Sequence, residues 1–119
     1  MGSSLVFTSS DWHSPPEALP QQVKDWIALG KKREAKLVGV GDLFDLVLQP
    51  HDTYRYSGAK WDLIHALNGY PFDYVVGNHD PMSFVEELNL PDNIQVSKRL
   101  DLWIGSNPWH LEHGYQRAI

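Results

Sequence analysis

Four short segments of the chain carry side chains able to hold a cation or move a proton. Asp11 and His13 stand two residues apart. In an extended segment such residues face the same way, so a carboxylate and an imidazole can converge on one ion. Asp42 follows Gly41, which permits close backbone approach, and Asp45 lies three residues on. Asn78, His79 and Asp80 follow Gly77. The Asn78 amide oxygen can bind a metal, and His79 can act as a general acid or set charge against an oxyanion. His113 precedes Gly114 near the end of the sequence. Each segment alone also has an ordinary explanation. Asp11 and Asp42 would suit helix caps, Asp45 a first helical turn, Gly77-Asn78 a turn, and His113 the surface. His110 is three residues from His113, so a regular strand would point the two apart and they are not expected to share an ion. His51 and His65 read as loop and helix surface residues.

The elements that must position these groups follow from periodicity. Apolar runs at residues 5–8, 36–40 and 74–76 read as buried strands, and each ends in one of the candidate segments. Between the first two, Leu19, Val23, Trp26, Ile27 and Gly30 follow helical spacing, with Pro16 a possible start and an end near Lys32. Residues 49–58 are polar and read as a loop. Trp61, Ile64, His65 and Leu67 predict a second helix, stopped by Asn68-Gly69 and Pro71. Pro81 opens a short third helix to about Leu88. Residues 94–96 and 102–105 follow as strands, then a turn at Asn107-Pro108 and a last strand at residues 109–113. Alternating strands and helices predict an α/β domain with a parallel sheet, in which functional groups gather beyond the carboxyl ends of the strands. Three successive strands ending in potential ligands are the strongest clue read from the residues alone.

Composition narrows the chemistry. With 119 residues the chain predicts a single domain, residues 1–119. There is no Cys, which excludes disulfides and thiolate sites and leaves His, Asp, Glu and Asn as ligands. The formal net charge of -5 gives no strong nucleic-acid signal, since that binding needs clustered positive charge. No apolar run reaches the ~18 residues that span a membrane, and the N-terminal residues lack a signal-peptide profile. A cytoplasmic location is expected.

Taken together, Asp11-Trp12-His13, Gly41-Asp42-Leu43-Phe44-Asp45, Gly77-Asn78-His79-Asp80 and His113-Gly114 resemble the calcineurin-like metallophosphoesterase family. The family pattern is D-x-H, G-D-x-x-D, G-N-H-D/E, a later His, and then G-H-x-H. Residues 41–46 and His113-Gly114 look most like the bacterial pyrophosphohydrolases that act on lipid A precursors. The resemblance implies a β-sandwich flanked by helices and shortened at its C-terminal end. It implies two divalent ions (Mn, Fe, Zn, Co or Ni), with Asp11, His13 and Asp42 on one and Asp42, Asn78 and His113 on the other. His79 would then stabilise phosphoryl charge or protonate the leaving group, with Asp45 orienting its ring. The substrate would be a phosphorylated small molecule or a nucleotide. Arg55, in the loop after the second motif, is a candidate phosphate contact.

The sequence departs from that pattern where the final G-H-x-H should stand. Each ion keeps three protein ligands, and part of the second sheet would be missing. Three functions follow as expectations: a hydrolase of phosphomonoesters, phosphodiesters or pyrophosphates; a degenerate member that binds metal or a partner without catalysis; and a subunit of a homo-oligomer whose site another chain completes.

Overall fold

The run Leu37-Val38-Gly39-Val40 demands a strand covered on both faces. The computed structural model, which describes residues 5–48 and 53–113, places it inside a parallel sheet. The strands are β1 (Val6–Ser9), β2 (Lys36–Val40), β3 (Phe72–Val75) and β4 (Ile94–Ser97), in the order β1-β2-β3-β4. Helices α1 (Gln21–Lys32), α2 (Ser57–Leu67) and α3 (Met82–Glu86) connect them in turn. Crossovers between parallel strands are right-handed, so a sheet in which each step moves one strand the same way carries its helices on one face. Val23 and Ile27 of α1, Leu63 and Leu67 of α2 and Val85 of α3 accordingly share one core with Leu37, Phe72, Tyr74 and Ile94.

The opposite face starts from the alternate residues. Val38 and Val75 are fully buried outside that core, and Lys36 Nζ lies 2.7 Å from Asp73 Oδ2. A hairpin of β5 (Leu100–Ile104) and β6 (Asn107–Leu111) stands against the β1 end of this face. Leu102, Ile104, Trp109 and Leu111 meet Val6 and Thr8 there across a cleft of about 250 Å³. The described residues thus form a four-stranded parallel sheet plus a two-stranded ribbon, flanked by helices. Among the described residues, no helix is long and apolar enough to cross a membrane.

Several element bounds differ from the sequence reading. Helix α1 begins at Gln21, not Pro16, because Pro20 takes the cap position and residues 16–18 are bends. Strand β3 starts two residues early, at Phe72, once Phe72 pairs with Leu37 and Ile94. The hairpin turns at Gly105-Ser106, where Gly105 has φ 64°, and not at Asn107-Pro108. In that register the pair next to the turn, Ile104–Asn107, is the hydrogen-bonded one. Pro108 opposite Trp103 then falls at a non-hydrogen-bonded position, where its missing N–H costs nothing.

Helix α2 begins at Ser57, inside the segment read as a loop, and so contains Gly58. A polar stretch with a glycine gives no helical signal, but tertiary contact requires the glycine here. The N–H of Ala59 donates to Pro16 O at 3.0 Å, and a Cβ on residue 58 would lie 2.0 Å from Glu17 O. Gly58→Ala should therefore lower stability, although alanine is the better helix former by about 1 kcal/mol. Overpacking against fixed backbone costs roughly 1–3 kcal/mol, so a net loss of up to about 2 kcal/mol in urea denaturation is expected. A stabilised variant would mean that the 16–17 backbone does not press on α2.

Candidate metal centre

The first three parallel strands end at the same edge, and the loops beyond them are cross-linked by backbone hydrogen bonds. Asp11 N–H donates to Gly41 O (3.0 Å), His13 N–H to Asp42 O (3.1 Å) and Ser14 N–H to Leu43 O (2.9 Å). Asp11 and His13 are not in the extended segment expected of them. Both adopt left-handed backbone, φ 56° and 43°, and Asp42 does the same at 57°. Non-glycine residues are uncommon in this region, and strain of this kind clusters at functional sites. The side chains nevertheless converge: Asp11, His13 and Asp42 each offer a ligand atom within 4.8 Å of the others.

Asp42 is buried, and its two oxygens face different partners. Oδ1 accepts the backbone N–H of His79 at 2.8 Å, and Oδ2 lies 3.2 Å from His113 Nε2. Two glycines make this possible. A Cβ on Gly77 would lie 2.5 Å from Asp42 Oδ1, and one on Gly41 would lie 2.4 Å from the His113 ring. His113, beyond the end of β6, is buried against β2, with Nδ1 3.2 Å from Val40 O. A carbonyl can only accept, so Nδ1 donates to Val40 O and Nε2 is the nitrogen turned to Asp42, where it offers a lone pair when the ring is neutral. Asn78 closes the group. Its inward amide atom is 3.2 Å from His113 Nε2 and 3.1 and 3.3 Å from the Asp42 oxygens. With the carbonyl oxygen in that place, acceptors from Asp42, Asn78 and His113 point at one another. A cation among them resolves the conflict, and so does a rotated amide that donates N–H to the same atoms. The donor set, two carboxylate or amide oxygens and an imidazole nitrogen, suits a divalent transition metal.

Asp45 does more than its sequence position suggested. Its Oδ1 holds His79 Nδ1 at 3.0 Å, as expected, but also His13 Nδ1 at 2.5 Å. The two rings stand edge to face, 5.3 Å apart, and with Asp45 they form a second group whose atoms could share a cation. Arg55 sits exposed on a short 3-10 turn, Thr53–Tyr56, and makes no hydrogen bond or ion pair among the described residues. His51 lies outside the described residues, and His65 is exposed on α2 as expected. His110 points away from the site and pairs across the hairpin with Asp101 at 2.6 Å.

Sequence reasoning gave no role to Asp80 or Tyr74. Asp80 is fully buried, and four donors reach it: Oδ1 accepts the N–H of Asp42 (2.9 Å) and Gly77 (2.7 Å), and Oδ2 accepts the N–H of Leu43 (2.9 Å) and the Tyr74 hydroxyl (2.5 Å). Burial lifts the Asp80 carboxyl above its ordinary range, against the pull of Tyr74 and the backbone donors. Burial and the neighbouring Asp80 charge push the Tyr74 phenol well up. The available signal was an acid five residues past a strand whose alternate residues face the core. No protein-family model matches the chain, and no curated protein or solved structure matches it.

These contacts give two expected outcomes. Asp80→Ala strands three backbone donors and a buried hydroxyl, and should cost on the order of 3 kcal/mol or more in denaturant unfolding; Tyr74→Phe removes one bond to a charged group and should cost about 1.5–3 kcal/mol. An unfolding midpoint unmoved by Asp80→Ala would show that the carboxylate does not tie the loops together. The second concerns His13. Its hydrogen bond to the Asp45 carboxylate raises its pKa, partial burial opposes, and the charges of Asp45, Asp42 and Asp11 add to the rise. In metal-free protein, NMR should show His13 titrating above 6.5, and Asp45→Asn should bring it back down. The folded value is raised, so the stability this pair adds is complete below about pH 6.5 and is lost as pH rises through the folded pKa.

Proposed function

We propose that this chain is a metal-dependent phosphoester hydrolase with a binuclear site, of the calcineurin-like metallophosphoesterase kind, and that its sheet and hairpin correspond to a shortened form of that family's sandwich. The observation that carries the reading is the position of Asp42 between two ligand groups, with Asp11 and His13 on one side and Asn78 and His113 on the other. Two divalent ions, when bound, would supply a nucleophilic hydroxide at neutral pH and a clamp on the phosphoryl oxygens. Everything else falls to the chain. Val40 O fixes the His113 tautomer so that Nε2 faces the site. The His79 backbone N–H holds Asp42 Oδ1, so one loop sets the direction of the shared carboxylate. Asp45 engages His79 Nδ1 and leaves Nε2 to meet the substrate. In the reaction, the water oxygen forms a new P–O bond, the P–O bond to the organic group breaks, and the departing oxygen takes a proton from His79. With three protein ligands each, the ions would have positions open to water and to phosphate oxygens.

A second reading has one observation in its favour. The Asn78 amide, turned over, satisfies Asp42 and His113 without any cation. A non-catalytic relative, or a subunit completed by another chain, would use the pocket that way.

Metal uptake and hydrolysis separate these readings. With Mn²⁺ and an aryl phosphate, the hydrolase should bind about two ions per chain and turn over. Asp42→Asn should lose metal and activity together. His79→Ala should keep its metal but lose about 10²–10⁴-fold in kcat. Unchanged metal content in Asp42→Asn would remove the shared-carboxylate site, and activity that rises with chain concentration would assign the site to an assembly.

A further inference from the structure

A cavity of about 360 Å³ opens beside Asp11, between the loop after β1 and the first turns of α1. That volume falls in the range of small-molecule sites, roughly 300–1,000 Å³. One wall is aromatic. Trp12 and Trp26 meet edge to face with centroids 6.1 Å apart, and Trp12 leans on Phe72 at 6.1 Å, so neither indole is free to collapse into the space. Val23 continues the apolar lining.

The polar groups around this wall are few and directed. Ser9 Oγ accepts the Trp12 indole N–H at 2.8 Å, which leaves the Ser9 hydroxyl hydrogen to donate. Ser10 donates to Asp11 Oδ2 at 2.9 Å, which leaves its oxygen to accept. Gln22, exposed on α1, adds an amide donor and acceptor at the rim. Among the described residues no Lys or Arg lines the cavity, and the one charged residue there, Asp11, also belongs to the ligand group with His13 and Asp42. The lining therefore disfavours a second phosphate and favours an uncharged ring with hydrogen-bonding edges, stacked on indole.

We infer that this cavity is the leaving-group subsite and takes a flat, uncharged, hydrogen-bonding heterocycle, the base of a nucleoside phosphate. The inference rests on the proposed hydrolase, because Asp11 joins the cavity to the candidate metal ligands. It narrows the substrate class from any phosphoester to nucleotides.

Binding of a nucleoside without phosphate tests it apart from catalysis. The full-length ¹⁵N-labelled chain is titrated with adenosine, with ribose as the control, and separately with Mn²⁺. Adenosine should shift the indole N–H resonances of Trp12 and Trp26 saturably, and ribose should not. Gln22→Trp places an indole at the rim and should weaken adenosine binding about tenfold or more, with resonances far from the cavity unmoved. The subsite is overturned if adenosine gives no saturable shift, if ribose gives the same shift, or if Gln22→Trp binds adenosine as the parent does. Mn²⁺ uptake without adenosine binding removes the subsite alone. Adenosine binding without Mn²⁺ uptake keeps the ring pocket and removes the hydrolase reading.

Discussion

A single buried carboxylate holds the working edge of this sheet together. Asp80 belongs to the loop after β3, yet it accepts the backbone N–H of Asp42 and Leu43 from the loop after β2, along with that of Gly77 and the hydroxyl of Tyr74. Parallel strands are joined by hydrogen bonds along their length, but nothing in a sheet requires the loops past its end to stay in register. Asp80 supplies that requirement. An ionised carboxylate is costly to bury unless its lone pairs are filled, and here the donors that fill them come from two loops. The loops can separate only by leaving a buried acid unsatisfied. Asp42, His79 and Asn78 are carried on the segments so tied.

The same constraint explains how strained backbone persists beside the site. Asp11, His13 and Asp42 occupy the left-handed region, at about 1–3 kcal/mol each. The bonds from Asp11 to Gly41, His13 to Asp42 and Ser14 to Leu43 lock the first loop to the second, and Asp80 locks the second to the third. Relaxing one φ would break bonds across two loops. With left-handed backbone at all three positions, the side chains of Asp11, His13 and Asp42 still reach one point.

Legibility from sequence followed the range of the interactions. Strand β2 was readable residue for residue, because a strand buried on both faces is written in consecutive apolar residues, Leu37, Val38 and Val40. Bounds set by distant contacts were not. The start of α2 depends on Gly58 meeting Glu17, and the start of α1 on which proline, Pro16 or Pro20, takes the cap position. Asp11, His13, Asp42 and Asn78 were legible as possible ligands from type and position after strands, whereas His113 entered only through the family resemblance, and the structure places all five around Asp42. Their left-handed backbone was not legible, nor was the second bond of Asp45 to His13, since neither has a local signature. Arg55 was a candidate from its charge and its place in the loop after the second motif, and neither says where the side chain ends.

The two halves of the site differ in exposure, and under the proposed reading that difference divides their labour. The side chains of Asp11 and His13 are 55% and 41% exposed, whereas those of Asp42 and His113 are 6% and 9% exposed. An ion among Asp42, Asn78 and His113 would sit in a set already fixed by Asp80, Val40 and the glycines at 41 and 77, with little ordering left to do. An ion among Asp11, His13 and Asp42 would meet His13 at Nε2, which faces Asp11, with Nδ1 held by Asp45, and would remain open to solvent. The buried half is thus suited to retain its ion, and the open half to exchange ligands with water and phosphate. That open half is also where Asp11 borders the indole-walled cavity, so the exchangeable side of the site and the pocket for the organic group lie together.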